Sequence, residues 1–120
     1  MIKLVFCCRR KQGMTVEDFQ ARWLNVHGSL VHRMRKDLPQ MKRYVQSHTL
    51  MGEATEMVRS SRGAKDPYDG ITEVWFENIE SLAGGGEAAM NAAAKLYEDE
   101  AEFIDFSNSS VFLTEEHVIF

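Results

Sequence analysis

The stretch Tyr68-Asp69-Gly70-Ile71-Thr72-Glu73-Val74-Trp75-Phe76-Glu77 constrains this chain most, because it reads as a central β-strand with two faces that both need a cover. β-Branched and aromatic residues fill it, Pro67 fixes the backbone just before it, and Glu77 with Asn78 closes it. Side chains alternate across a strand, so Gly70, Thr72, Val74 and Phe76 share one face while Asp69, Ile71, Glu73 and Trp75 share the other. The first face opens on two small residues and ends on larger ones, the pattern of a pocket wall; Gly70 and Thr72 are expected to leave a cavity beside the backbone. The second face mixes acids with Ile71 and Trp75, which suits contact with another polypeptide.

A chain of 120 residues fits one domain, residues 1–120, and buries roughly two-thirds of its unfolded surface, so no separate cofactor domain fits. Its 44% hydrophobic and 27% charged residues are globular proportions. The net charge of -4 gives no electrostatic footprint for nucleic acid, and Arg9-Arg10-Lys11 reads as a solvated strand end. No apolar run approaches the roughly 20 residues of a membrane span, and the N-terminus enters a strand directly, so the expectation is a cytoplasmic protein without a membrane partner. Cys7 and Cys8 are adjacent in a strand, face opposite sides, and read as small buried hydrophobes rather than a disulfide. No spacing matches a metal site, and Gly84-Gly85-Gly86 lacks the Lys and Ser or Thr of a phosphate loop; neither metal nor organic cofactor is expected.

Around the central strand the chain alternates element types. Residues 2–9 form a first strand, apolar on both faces. Thr15 with Glu17 and Asp18 starts a helix whose stripe runs Val16, Phe19, Trp23, Val26, Leu30 and Met34 until Pro39, with Gly28 a point of bending or early ending. His27 falls one turn beyond Trp23, at the edge of that stripe. Residues 41–48 read as a second strand with Tyr44, Gln46 and His48 on one face. Residues 49–67 lack strong periodicity and read as a long connection with a flexible tip, a lid, a partner arm or a mobile loop. Beyond the central strand, a helical region from Ile79 is interrupted by the triple glycine, restarts at Glu87 and runs on past Phe103 and Ile104. Residues 111–120 form a last strand, whose apolar end Val118-Ile119-Phe120 is expected to dock on sheet or partner.

The order strand, helix, strand, strand, helix, strand predicts an α+β fold of ferredoxin-like βαββαβ type: a four-stranded antiparallel sheet with both helices on one face. The opposite face, carrying Val5, Cys7, Ile71, Glu73 and Trp75, then needs a second copy of the chain as cover.

Six groups of residues in this order carry a family likeness: Met1-Ile2-Lys3-Leu4-Val5-Phe6 with Arg9-Arg10-Lys11; Phe19, Trp23 and His27; Arg43-Tyr44-Val45-Gln46 with His48; Tyr68-Asp69-Gly70 with Glu73-Val74-Trp75-Phe76; Asp99-Glu100 with Phe103-Ile104-Asp105; and Phe112-Leu113 with Glu115-Glu116-His117. Together they resemble the EthD family over nearly the whole chain. The resemblance implies a dimeric α+β barrel in which two ferredoxin-like subunits pair through their sheets, by way of Val5, Ile71, Glu73 and Trp75. It also implies a cleft between sheet and helices for a small hydrophobic ligand. His27 matches the family's acid-base position, and Tyr44 and His48 are further catalytic candidates. Leu4, Phe6, Trp23, Leu30, Gly70, Thr72, Val74, Phe76 and Phe103 are the expected substrate contacts. Tyr44, Asp99 and Glu116 are the possible partners of His27.

Three functional readings follow from that likeness: a cofactor-free enzyme that decarboxylates, dehydrates or isomerises a cyclic or aromatic substrate, a non-catalytic accessory binder in an oxidative system, and a small cofactor-free oxygenase.

Overall fold

The computed structural model describes residues 1–120. Strands β1 (Ile2–Cys8), β2 (Arg43–His48), β3 (Gly70–Phe76) and β4 (Ser110–Glu115) form one antiparallel sheet in the spatial order β2-β3-β1-β4. The register sets Leu4 against Val74 and Leu113, Phe6 against Thr72 and Val111, and Tyr44 against Val74, so these residues share the face that the helices cover. On β3, Gly70, Thr72, Val74 and Phe76 are buried while Ile71, Glu73 and Trp75 are partly exposed, the alternation expected from the sequence. The fold is ferredoxin-like.

The first helical run begins where Thr15 Oγ1 accepts the Asp18 N–H, and continues as α1 (Val16–Ala21), a π-helical stretch (Arg22–His27) and α2 (Gly28–Met34). Gly28 neither ends nor breaks it; its N–H reaches back five residues to the Trp23 carbonyl, the hydrogen bond that defines a π turn. That wider turn corrects the expected stripe. The buried residues are Phe19, Trp23, His27 and Val31, each four apart, whereas Val26 is 48% exposed. In a regular helix a four-residue repeat drifts around the axis; the extra residue in the π turn cancels the drift and brings His27 into the centre of the buried stripe.

Residues 49–67 are not an irregular loop, since α3 (Glu53–Ser61) occupies their middle. Arg59 pairs with Glu56 one turn earlier, and Gly63, at φ +59°, closes the helix: its N–H bonds to the Ser60 carbonyl while the Ala64 N–H bonds to that of Arg59. No residue of α3 is buried, and its apolar side, Ala54, Met57 and Val58, is short and exposed. The triple glycine is the entry to α4 (Gly86–Glu100), which then runs unbroken for 15 residues. β4 stops at Glu115 rather than reaching Phe120, because Glu115 pairs with Ile2, the first residue of β1, and no partner strand extends further. Val118, Ile119 and Phe120 stand exposed.

Two apolar clusters pin the helices to the sheet. Cys8, Phe19, Trp23, Phe103 and Ile104 form one; Val31, Leu38, Ala89, Ala92 and Leu96 form the other. Between them the sheet face stays open. Cys7 and Cys8 are unbridged. No helix is long and apolar enough to cross a membrane.

Candidate functional site

The open part of the sheet face is a cavity of about 620 Å³, bounded by the first helical run and α4. Leu4, Phe6, Tyr44, Thr72, Val74 and Phe76 supply its floor, His27 and Val31 one wall, and Leu96, Tyr97 and Glu100 the other. Of its 19 lining residues 14 are hydrophobic, so an occupant must be mainly apolar. One polar atom in this wall lacks a partner: Gln40 Oε1, a buried acceptor open to a donor on a ligand.

The chemistry-bearing groups meet where the π turn faces the end of α4. Arg22 binds Asp99 with both guanidinium nitrogens, at 3.1 and 2.7 Å, and its hydrogen bonds hold the Asp99 carboxyl below the usual carboxylate range. Asp99 Oδ2 in turn accepts from His27 Nδ1 at 2.8 Å. A carboxylate only accepts, so Nδ1 carries the proton and the neutral ring keeps its free lone pair on Nε2. Glu100 Oε2 lies 3.7 Å from Nε2, beyond direct hydrogen bonding and close enough for one reacting group to bridge them.

Burial sets the protonation of this pair. Desolvation lowers the His27 pKa against the opposing pull of Asp99, which favours the neutral ring. It pushes the Glu100 carboxyl up to about 7, with the Asp99 charge adding to the rise. A neutral base and an acid protonated near neutral pH therefore share one end of an apolar cavity. Burial also raises the Tyr44 phenol, whose oxygen accepts from Gln46 Nε2 at 3.1 Å.

Leu4, Phe6, His27, Tyr44, Thr72, Val74 and Phe76 all line the cavity, and five of the residues singled out from sequence do not. Trp23 fills the space beside Gly70 and stacks on His48 with ring centroids 4.4 Å apart. His48 Nε2 hydrogen-bonds Gln46 Oε1 at 2.9 Å, so it is tied to the strand end and not to His27. Leu30 packs against the second cluster. Phe103 sits behind the histidine, 5.3 Å from its ring and under the Arg22 guanidinium, and supports the site without facing the cavity. Of the possible His27 partners, Asp99 is bonded to it, Tyr44 faces the same cavity, and Glu116 lies across the sheet on Trp75 Nε1 at 2.8 Å.

Glu100 was the acid that sequence reasoning passed over, although the signal was present. It stands four residues after Leu96, in line with the buried stripe of α4, where a carboxylate is half-buried against the cavity. Arg22 gave no comparable signal, because only the π turn aims it at Asp99. No group of three or more His, Cys, Asp or Glu side chains is placed to hold a metal ion.

The EthD domain model matches residues 11–107 of this chain. Among solved structures, an EthD family protein from Bacillus halodurans superposes with a TM-score of 0.63 at 13% identity, covering 98% of this chain and 99% of its own. An EthD-like protein from Ralstonia eutropha gives 0.63 at 16% identity, covering 99% and 94%. A dimeric protein of unknown function and ferredoxin-like fold from Bacteroides fragilis gives 0.61 at 8% identity, covering 96% and 95%. A search of curated protein sequences gives no significant match.

Proposed function

This chain belongs to the EthD domain family, and from that premise we propose that it binds an apolar, cyclic or aromatic small molecule in the sheet-helix cavity and moves a proton on it without a cofactor. The observation that carries this reading is the Arg22-Asp99-His27-Glu100 array at the cavity's polar end. Arg22 keeps Asp99 ionised, Asp99 fixes the His27 tautomer, and Nε2 is left to take a proton from the substrate. Glu100 returns one to a neighbouring atom, such as a carbonyl oxygen that becomes an enol. Isomerisation and dehydration of activated carbonyl compounds need that pair of transfers, and decarboxylation of an ionised carboxylate needs the proton delivery alone. Placing acid and base 3.7 Å apart suits transfers between adjacent atoms.

Titration of the protein with small aromatic acids, quinones and lactones, followed by product analysis, tests the reading. For a substrate that is turned over, His27→Ala is expected to lower kcat by a hundredfold or more while ligand affinity changes by only a few-fold. Activity should need His27 neutral and Glu100 protonated, so the rate should decline as pH rises through about 7. Full activity in His27→Ala would remove the histidine from the chemistry. Ligand binding with no turnover in either form would make the protein a non-catalytic binder.

The outer sheet face fits pairing of two copies. Lys3 bridges Glu73 at 2.7 Å and Glu116 at 3.6 Å, and Arg43 stacks on Trp75, so charges are neutralised around a half-buried surface that includes Val5 and Ile71. A homodimer through this face agrees with the dimeric state of the Bacteroides relative. Trp75→Arg should shift the protein to monomer at micromolar concentration in sedimentation, with unchanged far-UV circular dichroism. A dimer that survives the change would place the interface elsewhere.

A further inference from the structure

A second depression of about 370 Å³ adjoins the cavity, and its lining is of opposite character. Arg35, Lys42, Arg43 and His32 line it without a single Asp or Glu, in a chain whose acids outnumber its Lys and Arg by 18 to 14. Neither Arg35 nor Lys42 forms an ion pair, whereas Arg43 turns away onto Trp75. Gathering cations with no acid between them costs free energy through mutual repulsion, and an anion placed among them relieves it.

The two spaces share Val31, Leu38, Met41 and Tyr44. The first helical run aligns their polar ends: His27, Val31 and Arg35 succeed one another at four-residue steps, with His27 lining the cavity, Val31 both spaces and Arg35 the basic depression. Eight residues at about 1.5 Å each put Arg35 about 12 Å from His27 along the helix.

From this alignment we infer that the ligand is amphiphilic: an apolar body in the cavity, with a carboxylate about 12 Å from the atom facing His27, held by Arg35 and Lys42. The inference rests on the cavity reading given above and adds the class of molecule. A guanidinium meets a carboxylate with two parallel hydrogen bonds, and the Lys42 ammonium adds a second charge. The anion also orients the ligand, since a molecule entering reversed would bring its carboxylate against Glu100 in an apolar pocket.

The probes are 6-phenylhexanoate, whose ring and chain match the span, and 6-phenylhexan-1-ol, its neutral counterpart. Calorimetric titration is carried out on the native protein, on an Arg35→Gln/Lys42→Gln variant and on Val74→Trp, which fills the cavity. The native protein should bind the acid at least tenfold more tightly than the alcohol, and this preference should shrink with added salt. The double variant should bring the two affinities within twofold while leaving alcohol binding unchanged. Val74→Trp should weaken both. Equal affinities in the native protein, or a preference that survives in the double variant, overturn the inference and leave the cavity reading intact. Failure of both probes to bind, or binding indifferent to Val74→Trp, overturns the cavity reading and the inference together.

Discussion

Gly70→Ala is expected to destabilise this protein by about 3 kcal/mol, or about 10 °C in Tm, although it adds one methyl group. A Cβ built at Gly70 would lie 2.3 and 2.6 Å from two carbons of the Trp23 ring and 2.9 Å from the Ser47 carbonyl oxygen. None of these can retreat easily. Trp23 is 1% exposed and wedged between Phe19 and His48, and Ser47 belongs to β2, paired with β3. The clash should therefore open the β2-β3 pairing or push the π turn outward, and the second route displaces His27 one turn further on. Trp23→Phe, which removes the outer ring, should recover part of the loss, so that the double variant is at least 1 kcal/mol more stable than the two single changes predict by addition. Thermal melts of the four proteins measure this coupling directly. Additive effects would mean that the Ser47 carbonyl, rather than the tryptophan, limits the site.

Gly70 also shows where sequence reasoning stops. Its small size was legible, and so was its place on the covered face of β3, because strand alternation fixes faces without reference to anything distant. What fills the space beside a glycine depends on which side chain the opposite layer delivers, and here Trp23 occupies the room that the sequence assigned to a ligand. Whereas His27 and Tyr44 were expected from the family resemblance, the order of elements, the antiparallel sheet and the covered face of β3 with Thr72, Val74 and Phe76 followed from such local rules. The helical stripe did not, because a π turn is set by packing and by the Gln46 side chain, which donates to the Trp23 carbonyl at 3.0 Å. A regular helix predicts Val26 inside and His27 at the edge; the structure has them reversed. α3 escaped for a different reason. Its clearest signals are polar, the Glu56-Arg59 pair and the Gly63 stop, while its apolar residues Ala54, Met57 and Val58 span little more than one turn and stay exposed.

Glu100→Gln is expected to make the protein more stable in alkaline solution and to remove a pH dependence that the native chain carries. In the folded protein the Glu100 carboxyl, raised chiefly by burial, titrates at about 7 instead of 4.5. Below pH 4.5 the group is protonated in folded and unfolded chains alike and contributes no slope. Between 4.5 and about 7 the unfolded chain has released the proton while the folded chain keeps it, so folding binds a proton and stability falls as pH rises. Above about 7 both are ionised and the full penalty of a buried carboxylate remains, about 3 kcal/mol for a displacement of this size. Glutamine has the same shape and no proton to lose. Its stability relative to the native protein should therefore rise by about 3 kcal/mol between pH 4 and pH 8. His27 acts in the opposite sense, since its lowered pKa makes stability fall as pH drops below 6.5, so the informative quantity is the difference between the two proteins at each pH. Urea unfolding at half-unit steps gives that difference. A difference that stays flat within 0.5 kcal/mol (about the error of such extrapolations) would show Glu100 to be an ordinary carboxylate, ionised at neutral pH, and would withdraw it as the acid opposite His27. A rise centred between pH 5 and 7 would establish that the cavity keeps a carboxylic acid protonated opposite His27, the proton donor that the proposed chemistry requires.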